Sequence, residues 1–260
     1  LAEAGVASRR AGEQIIAEGR VSVNGEAVTG TPAFVDPTAD RIDVDGREIA
    51  RPSYKPRAAA HTYVMLHKPR RVVTTAEDPE GRRTVTDLVD LPKRLFPVGR
   101  LDADSTGLLL MTDDGELTNR LTHPRYEISK SYQVSVRGHV TDEDLALLER
   151  GLFLAHQKDS RQNPKVKRAS MASVRILGRS RDRTRGDRTR LAVTLKEGQN
   201  REIRRLLAKL GYPVRRLKRI AVGPLQLKGL AVGEWRMLTG DEVRALYKVA
   251  GLKNVRRERE

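Results

Sequence analysis

Gly99-Arg100-Leu101-Asp102-Ala103-Asp104-Ser105-Thr106-Gly107, continued by Leu108-Leu109-Leu110-Met111-Thr112-Asp113-Asp114-Gly115, sets the reading of this chain. The runs on either side of the acidic stretch, Leu95 to Val98 and Leu108 to Met111, are short, apolar and bounded by turn formers. That pattern predicts buried strands of a rigid sheet. The acids between them fall on a polar, glycine-bounded loop, the kind of segment on which a scaffold carries its chemistry. Taken alone, Asp102 and Asp104 serve equally well as turn residues whose carboxylates accept backbone N–H groups. Asp113-Asp114-Gly115 reads as a tight turn in preference to a carboxylate metal site, since Asp-Gly adopts turn dihedrals at little cost.

Composition narrows the partners. The 260 residues hold 50 Lys and Arg against 34 Asp and Glu, a net charge of +16. A field of that sign favours polyanions, nucleic acid first among them. At 38% hydrophobic and 4% aromatic residues the chain is lean but globular, long enough for one large domain or a small and a medium one. No apolar run approaches the ~20 residues of a membrane span, and no secretory pattern opens the chain, so a cytoplasmic setting is expected. There is no cysteine, which excludes disulfides, thiolate nucleophiles and Cys-ligated zinc. His61, His67, His123, His139 and His156 lack metal-ligand spacing, and no phosphate-binding G-x-x-x-x-G-K-[ST] string occurs. The chain opens on Leu1 with a helical pattern already under way, so a few residues are expected to precede it.

The sequence divides into segments. Over residues 1–48, Ser8 is the expected N-cap of a helix whose apolar face holds Ala11, Ile15 and Ile16. Val21-Ser22-Val23-Asn24-Gly25-Glu26-Ala27-Val28 then predicts a hairpin, since Asn-Gly between alternating apolar residues is a strong turn signal. Residues 49–60 carry two prolines without apolar periodicity and read as a linker. The larger domain spans 61–250, with strands predicted at Tyr63–Leu66, Leu108–Met111, Tyr132–Val136, Ala172–Leu177 and Leu191–Leu195. Thr141-Asp142-Glu143-Asp144 and Thr239-Gly240-Asp241-Glu242 have the form that opens a helix, the first closing at Gly151. The fold class is α+β: a small N-terminal α/β domain, then a domain with a mostly antiparallel mixed sheet. Residues 179–190 hold six arginines and no large apolar side chain, so a disordered loop is expected there. Residues 157–168 are similarly polar, and 251–260 form a charged tail.

A second constellation lies at 196–219, where nine Lys and Arg face only Glu197 and Glu202. A helix is predicted over Asn200 to Leu210, stopped by Gly211. Ile203, Leu206, Leu207 and Leu210 follow three-and-four spacing and should face the core, leaving Arg201, Arg205 and Lys209 on a polar stripe. Arg204 borders the apolar stripe, where a partly buried guanidinium needs a carboxylate.

Three strings now resemble one family. Gly99 to Leu109 resembles the signature of the RNA pseudouridine synthases, Lys130-Ser131-Tyr132-Gln133-Val134 their second motif, and Glu197 to Leu206 their third. Ala4-Gly5-Val6-Ala7-Ser8-Arg9-Arg10 and Gly19 to Gly25 resemble the S4 RNA-binding domain, which marks the branch acting on ribosomal RNA. Leu217 to Leu225 also fits, and only the arginine-rich insertion and the tail depart from the pattern. Asn200 to Leu206 is closer to the large-subunit (23S), B-type branch than to the small-subunit (16S) one.

The resemblance implies that Asp102 is the catalytic aspartate, that Arg204 pairs with it, and that Tyr132 is the active-site tyrosine. It also implies that Arg9, Arg10 and Arg20 face RNA. Arg201 and Arg205 are further RNA-contact candidates, and Arg100, beside Asp102, is a candidate to fill the space left by an extruded base. Pseudouridine formation breaks the C1′–N1 bond of uridine, turns the base and rejoins it through C5, for which one carboxylate suffices, as nucleophile at the sugar or as base giving a glycal. The expected partner is ribosomal RNA, 23S in particular, bound by a monomer. No cofactor is required, since the isomerisation is redox-neutral. The competing reading is an S4-domain RNA-binding or ribosome-assembly protein without activity, for which an intact Asp102, Tyr132 and Arg204 would be unneeded.

Overall fold

The computed structural model describes the chain except residues 3, 5, 8, 37, 38, 50–60, 77, 156–165, 182–185 and 253–260. It divides into two compact units, Leu1–Ala60 and His61–Glu260. The expected N-cap Ser8 and nearly all of the expected linker lie outside the described residues.

The first unit contains α1 (Arg9–Ala17), β1 (Val21–Val23), β2 (Glu26–Ala27), β3 (Ile42–Val44) and β4 (Arg47–Glu48). Its antiparallel sheet has the order β2-β1-β3-β4. The Asn24-Gly25 turn takes φ of 53° and 89°, the doubly left-handed geometry that matches strand twist. Asp45-Gly46 repeats it between β3 and β4 with φ of 53° and 73°. On α1, Ile15 and Ile16 are half-buried as expected, but Ala11 is exposed. Gly12 is the buried residue, and a Cβ added to it would lie 3.4 Å from the Leu1 side chain, so the inner face is rotated by one position.

The second unit is built on β5 (Tyr63–Lys68), β6 (Phe96–Pro97), β7 (Thr106–Thr112), β8 (Lys130–Arg137), β9 (Leu152–Ala155), β10 (Val166–Ala169), β11 (Ser173–Ser180), β12 (Arg188–Leu195), β13 (Val214–Val222), β14 (Leu225–Gln226) and β15 (Trp235–Met237). Its helices are α2 (Gly115–Thr122), α3 (Asp142–Arg150), α4 (Glu202–Lys209) and α5 (Gly240–Val249). The main sheet runs β11-β12-β8-β13-β7-β5-β15, with β14 on β13 and β6 on β7, while β9 and β10 pair separately. Every pairing is antiparallel except β13 with β7, where Lys218 lies opposite Thr106 and Arg219 opposite Gly107.

Burial explains the two kinds of strand pattern. In β5 and β7 successive side chains enter opposite cores: Val64, Leu66, Leu109 and Met111 pack with Ile203, Leu206 and Leu207 of α4. Met65, Leu108 and Leu110 pack with Leu117 and Leu121 of α2 and Leu246 of α5. Both faces being covered, these strands read as continuous apolar runs. β8 and β12 bury alternate residues, so they alternate in sequence. Both expected capping boxes are present, Thr141 with Asp144 and Thr239 with Glu242.

Three expectations need correction. Asp114-Gly115 is no simple turn: Asp114 is the N-cap of α2, its carboxylate accepting from Leu117 N at 2.9 Å. The 179–190 segment is not wholly a loop, because β11 continues to Ser180 and β12 begins at Arg188. Ladder hydrogen bonds need no apolar side chain, and Arg179 also donates to Val140 O at 2.9 Å. In the same way the end of the polar 157–168 stretch pairs as β10 with β9. Of the tail, Leu252 packs against the second core, and residues from 253 on lie outside the described ones.

Candidate active site

The loop between β6 and β7 carries Asp102 and Asp104, and its conformation is imposed from beneath. Lys68, the last residue of β5, is fully buried. Its ammonium donates to the carbonyls of Pro69 (3.0 Å), Asp102 (3.2 Å) and Ser105 (3.2 Å). Burial brings the Lys68 pKa down to about 8, against the opposing pull of Asp102 and Asp104. Leu101, one residue before Asp102, is buried in the same core cluster as Tyr132.

At the other end, Gly107 crosses β13 at a distance no other residue tolerates. Its φ is +113°, and a Cβ there would lie 2.1 Å from Arg219 O and 2.6 Å from Arg219 N. Arg219 in turn is buried and donates from Nε to Leu108 O at 2.7 Å. On the far side of β13, Arg219 is opposite Tyr132 of β8. Gly107 and Tyr132 thus flank Arg219 on the same rung, about 10 Å apart across two strand spacings. Tyr132 is 7% exposed, and among the described residues its hydroxyl has no partner.

Cations reach the loop from α4. Arg201 bridges both acids, with Nη1 3.3 Å from Asp102 Oδ2 and Nη2 3.2 Å from Asp104 Oδ2. Arg204, with only 12% of its side chain exposed, lies 3.2 Å from Asp104 Oδ1 and donates to Asp104 O and Ser105 Oγ, each at 3.3 Å. The expected direct pair of Arg204 with Asp102 is therefore replaced by Arg204–Asp104 and Arg201–Asp102. Arg204 acts on Asp102 only as a nearby charge. The reason is helical geometry: Arg201, three residues earlier, has left-handed φ and ψ of 49° and 33° at the N-cap of α4, which turns its side chain toward the loop. That turn is braced by buried Glu202, whose carboxylate accepts from Gln199 N at 2.9 Å.

Electrostatics follow from these contacts. Burial pushes the Asp104 carboxyl up, but the pairs with Arg201 and Arg204 outweigh it and hold it below the usual carboxylate range. Burial pushes Arg204 down, opposed by Asp104 and Asp102. Burial and the neighbouring Arg219 also lower Lys130, the first residue of the second motif, while burial raises Glu202. Asp104, surrounded in this way, stays ionised near neutral pH.

The remaining candidates are dispersed. Arg100 is exposed beside Asp102, and Arg9 and Arg10 are exposed at the start of α1. Arg20 is held by Asp45, through Nε and Nη2 at 2.7 Å each, and by Glu18 at 3.0 Å. Arg205 donates to Ala155 O and Lys209 to Phe153 O, so the polar stripe of α4 fastens the β9–β10 hairpin. Lys68, Arg70, Arg71 and Gly107 were not singled out by the sequence reading. The available signal was Lys68-Pro69-Arg70-Arg71, three cations and a proline closing an apolar strand. Among the described residues no group of three or more His, Asp or Glu is arranged to hold a metal ion.

Lys68→Met tests the anchor. Keeping an ammonium there with its pKa brought from 10.5 to about 8 costs about 3 kcal/mol. Orphaning its three carbonyl partners costs about 1 kcal/mol each, so stability near pH 7 should change little. Turnover should fall about 100-fold, the usual effect of a displaced reacting group. Between pH 8 and 10.5 the unfolded chain holds a proton the folded one lacks, so wild-type stability should gain on the variant as pH rises through that window. Denaturant titrations at several pH values, paired with rate measurements, check both; a large loss of stability at pH 7 with normal turnover would contradict the anchor.

Known proteins resemble this chain over most of its length. Residues 62–209 match the RNA pseudouridylate synthase family and residues 1–30 the S4 domain. An uncharacterized RNA pseudouridine synthase of Aquifex aeolicus is 41% identical, covering 100% of this chain and 96% of its own. Ribosomal large subunit pseudouridine synthase B of Bacillus subtilis is 39% identical over 96% of this chain and 94% of its own. A crystal structure of a pseudouridylate synthase superposes with a TM-score of 0.61 at 27% identity, covering 94% of this chain and 96% of that one. With the family match spanning more than half of the chain and these relatives nearly all of it, the chain belongs to the RNA pseudouridine synthases and carries an S4 domain at its N-terminal end.

Proposed function

We propose that this enzyme converts a specific uridine of ribosomal RNA, in the 23S molecule of the large subunit, to pseudouridine, acting as a cytoplasmic monomer. The observation that carries the reading is the Asp102 loop, fixed from below by Lys68 and faced by Arg201, in a chain 39% identical over 96% of its length to a relative named for the large subunit. Among the described residues no helix is long and apolar enough to cross a membrane.

In this reading the target nucleotide leaves its stack and enters beside Asp102, with Arg100 filling the vacated space. Asp102 either attacks C1′ and displaces N1, forming an ester, or removes the C2′ proton as N1 leaves, forming a glycal. The uracil turns and C5 bonds to C1′, which breaks the ester and frees the Asp102 carboxylate, or returns the proton from Asp102 to C2′. The C5 proton then leaves and N1 gains one, so atoms and charge balance without a cofactor. Tyr132 stacks the uracil, and its hydroxyl assists removal of the C5 proton. Arg201 and Arg204 keep Asp104 ionised and hold the acidic loop in place.

Mapping pseudouridine in 23S and 16S RNA from cells with and without the gene tests the assignment. One 23S position should lose its modification; an unchanged 23S map refutes the large-subunit reading, and a loss in 16S replaces it. Arg9 and Arg10 should add phosphate contacts from the first unit. Replacing both by Ala should flatten the log–log salt dependence of RNA affinity by about 0.7–0.9 per residue, as measured by filter binding. An unchanged slope would make them merely solvated.

A further inference from the structure

Arg70 and Arg71, in the turn that leaves β5, line with Ala103 and Asp104 a cavity of about 470 Å³ beside the acidic loop. Both are exposed, and among the described residues neither guanidinium has a hydrogen-bond or ion-pair partner. The nearest carboxylate does not retain them, because Arg204 occupies Asp104 Oδ1 and Arg201 occupies Oδ2. Lys68 lies beneath the same loop. Asp104, the one aspartate lining the cavity, is already matched by Arg201 and Arg204, so the charge of Arg70 and Arg71 is left uncompensated there.

The backbone carries a second sign of selection for a purpose. Arg71 has φ of +64°, in the left-handed region that glycine occupies freely and a long side chain does not. Its N–H donates to Ala103 O at 2.7 Å, so the turn is clamped to the acidic loop in that conformation. Asn24 and Asp45, also at positive φ, are in hairpin turns that favour such residues. Arg71 and Arg201 instead stand on two sides of one carboxylate loop. Strain kept at such a position points to function, since glycine would relieve it at no packing cost.

We propose that Arg70 and Arg71 form a phosphate clamp that receives the RNA backbone on either side of the nucleotide entering this cavity beside the acidic loop. This rests on the reading that the cavity accepts a nucleotide of ribosomal RNA. An extruded nucleotide brings two phosphodiesters to the mouth of its pocket, and two adjacent unpaired guanidiniums match them in charge, number and position. Guanidinium suits the task, as its fork of donors binds phosphate oxygens in pairs.

The test uses the full-length protein and transcribed 23S RNA, with filter binding over a range of salt and thermal melting of the same samples. Arg70→Ala and Arg71→Gly should each flatten the log–log salt slope by about 0.7–0.9. The half-saturating RNA concentration in single-turnover reactions should rise several-fold. Arg71→Gly should do this while melting no lower than wild type, and higher if the strain is relieved, by about 2–4 °C. A structural arginine would give the opposite melting shift. Wild-type slopes in the variants overturn the clamp, and so does an affinity loss accompanied by a lowered melting temperature. Failure of wild type to form pseudouridine in this RNA would instead count against the substrate reading, and the binding slopes judge the clamp either way.

Discussion

Asp102→Asn is expected to abolish pseudouridine formation, lowering single-turnover rates by about 10³-fold or more, equivalent to ~4 kcal/mol of transition-state stabilisation. The amide keeps the shape of the side chain and can still accept from Arg201, now 3.3 Å away, but it loses the charge needed to attack a sugar carbon or take a proton. RNA affinity should stay within a few-fold. Asp104→Asn makes the informative partner, because Asp104 is the acid that Arg204 and Arg201 bind in common. Removing that charge leaves Arg204, largely buried, without its carboxylate, so Asp104→Asn should lose stability more than Asp102→Asn and lose rate less. Tritium release from C5-labelled uridine in the RNA, with calorimetry on both variants, separates the two acids. Substantial turnover by Asp102→Asn, or the reverse order of the two variants, would move the chemistry to Asp104.

Gly107→Ala should be the most damaging substitution for the fold. The added methyl would lie 2.1 Å from a backbone oxygen of Arg219, with no flexible side chain to yield, and φ of +113° is itself strained for alanine. Overpacking and backbone strain each cost about 1–3 kcal/mol. Their sum is a large share of the ~5–15 kcal/mol that stabilises a domain. The melting temperature should fall by about 10 °C or more, or the variant should fail to accumulate folded. Because β7 leads directly from the acidic loop, surviving protein should also lose activity. A melting temperature within about 3 °C of wild type would show that β7 and β13 can separate without penalty.

The N-terminal hairpin, strands β5, β7, β8, β11 and β12 and both capped helices are legible because their signals are local, whereas β13, between β7 and β8 in the sheet, is not. Asn24-Gly25 takes the left-handed pair the dipeptide favours, and Thr141 and Thr239 cap helices through residues three positions on. The buried stripe of α4 followed from apolar spacing alone. Asp45-Gly46 and the Asp114 cap carry equally local signals and went unread. Where expectation and structure parted, the deciding interaction was distant in sequence. Arg179 to Arg190 looks unable to pay for order, yet its ends pair as strands because the sheet supplies the hydrogen bonds.

The sequence by itself determined the charge that calls for RNA, the two-part organisation, the α+β class and the residue types of the site, because each rests on composition or on spacing within a few residues. Tertiary structure alone decided which cation meets which acid. Arg201 and Arg204 differ by three positions on one face, and only the left-handed turn at Arg201, braced by Glu202, gives Asp102 to the former and leaves Asp104 as the partner of both. It also decided that Lys68, a residue a sequence would put in water, is the buried anchor of the acidic loop, and that Gly107 is a crossing point of strands more than a hundred residues apart. Such facts are set by which backbones approach within a few ångströms, and no periodicity along the chain encodes that distance.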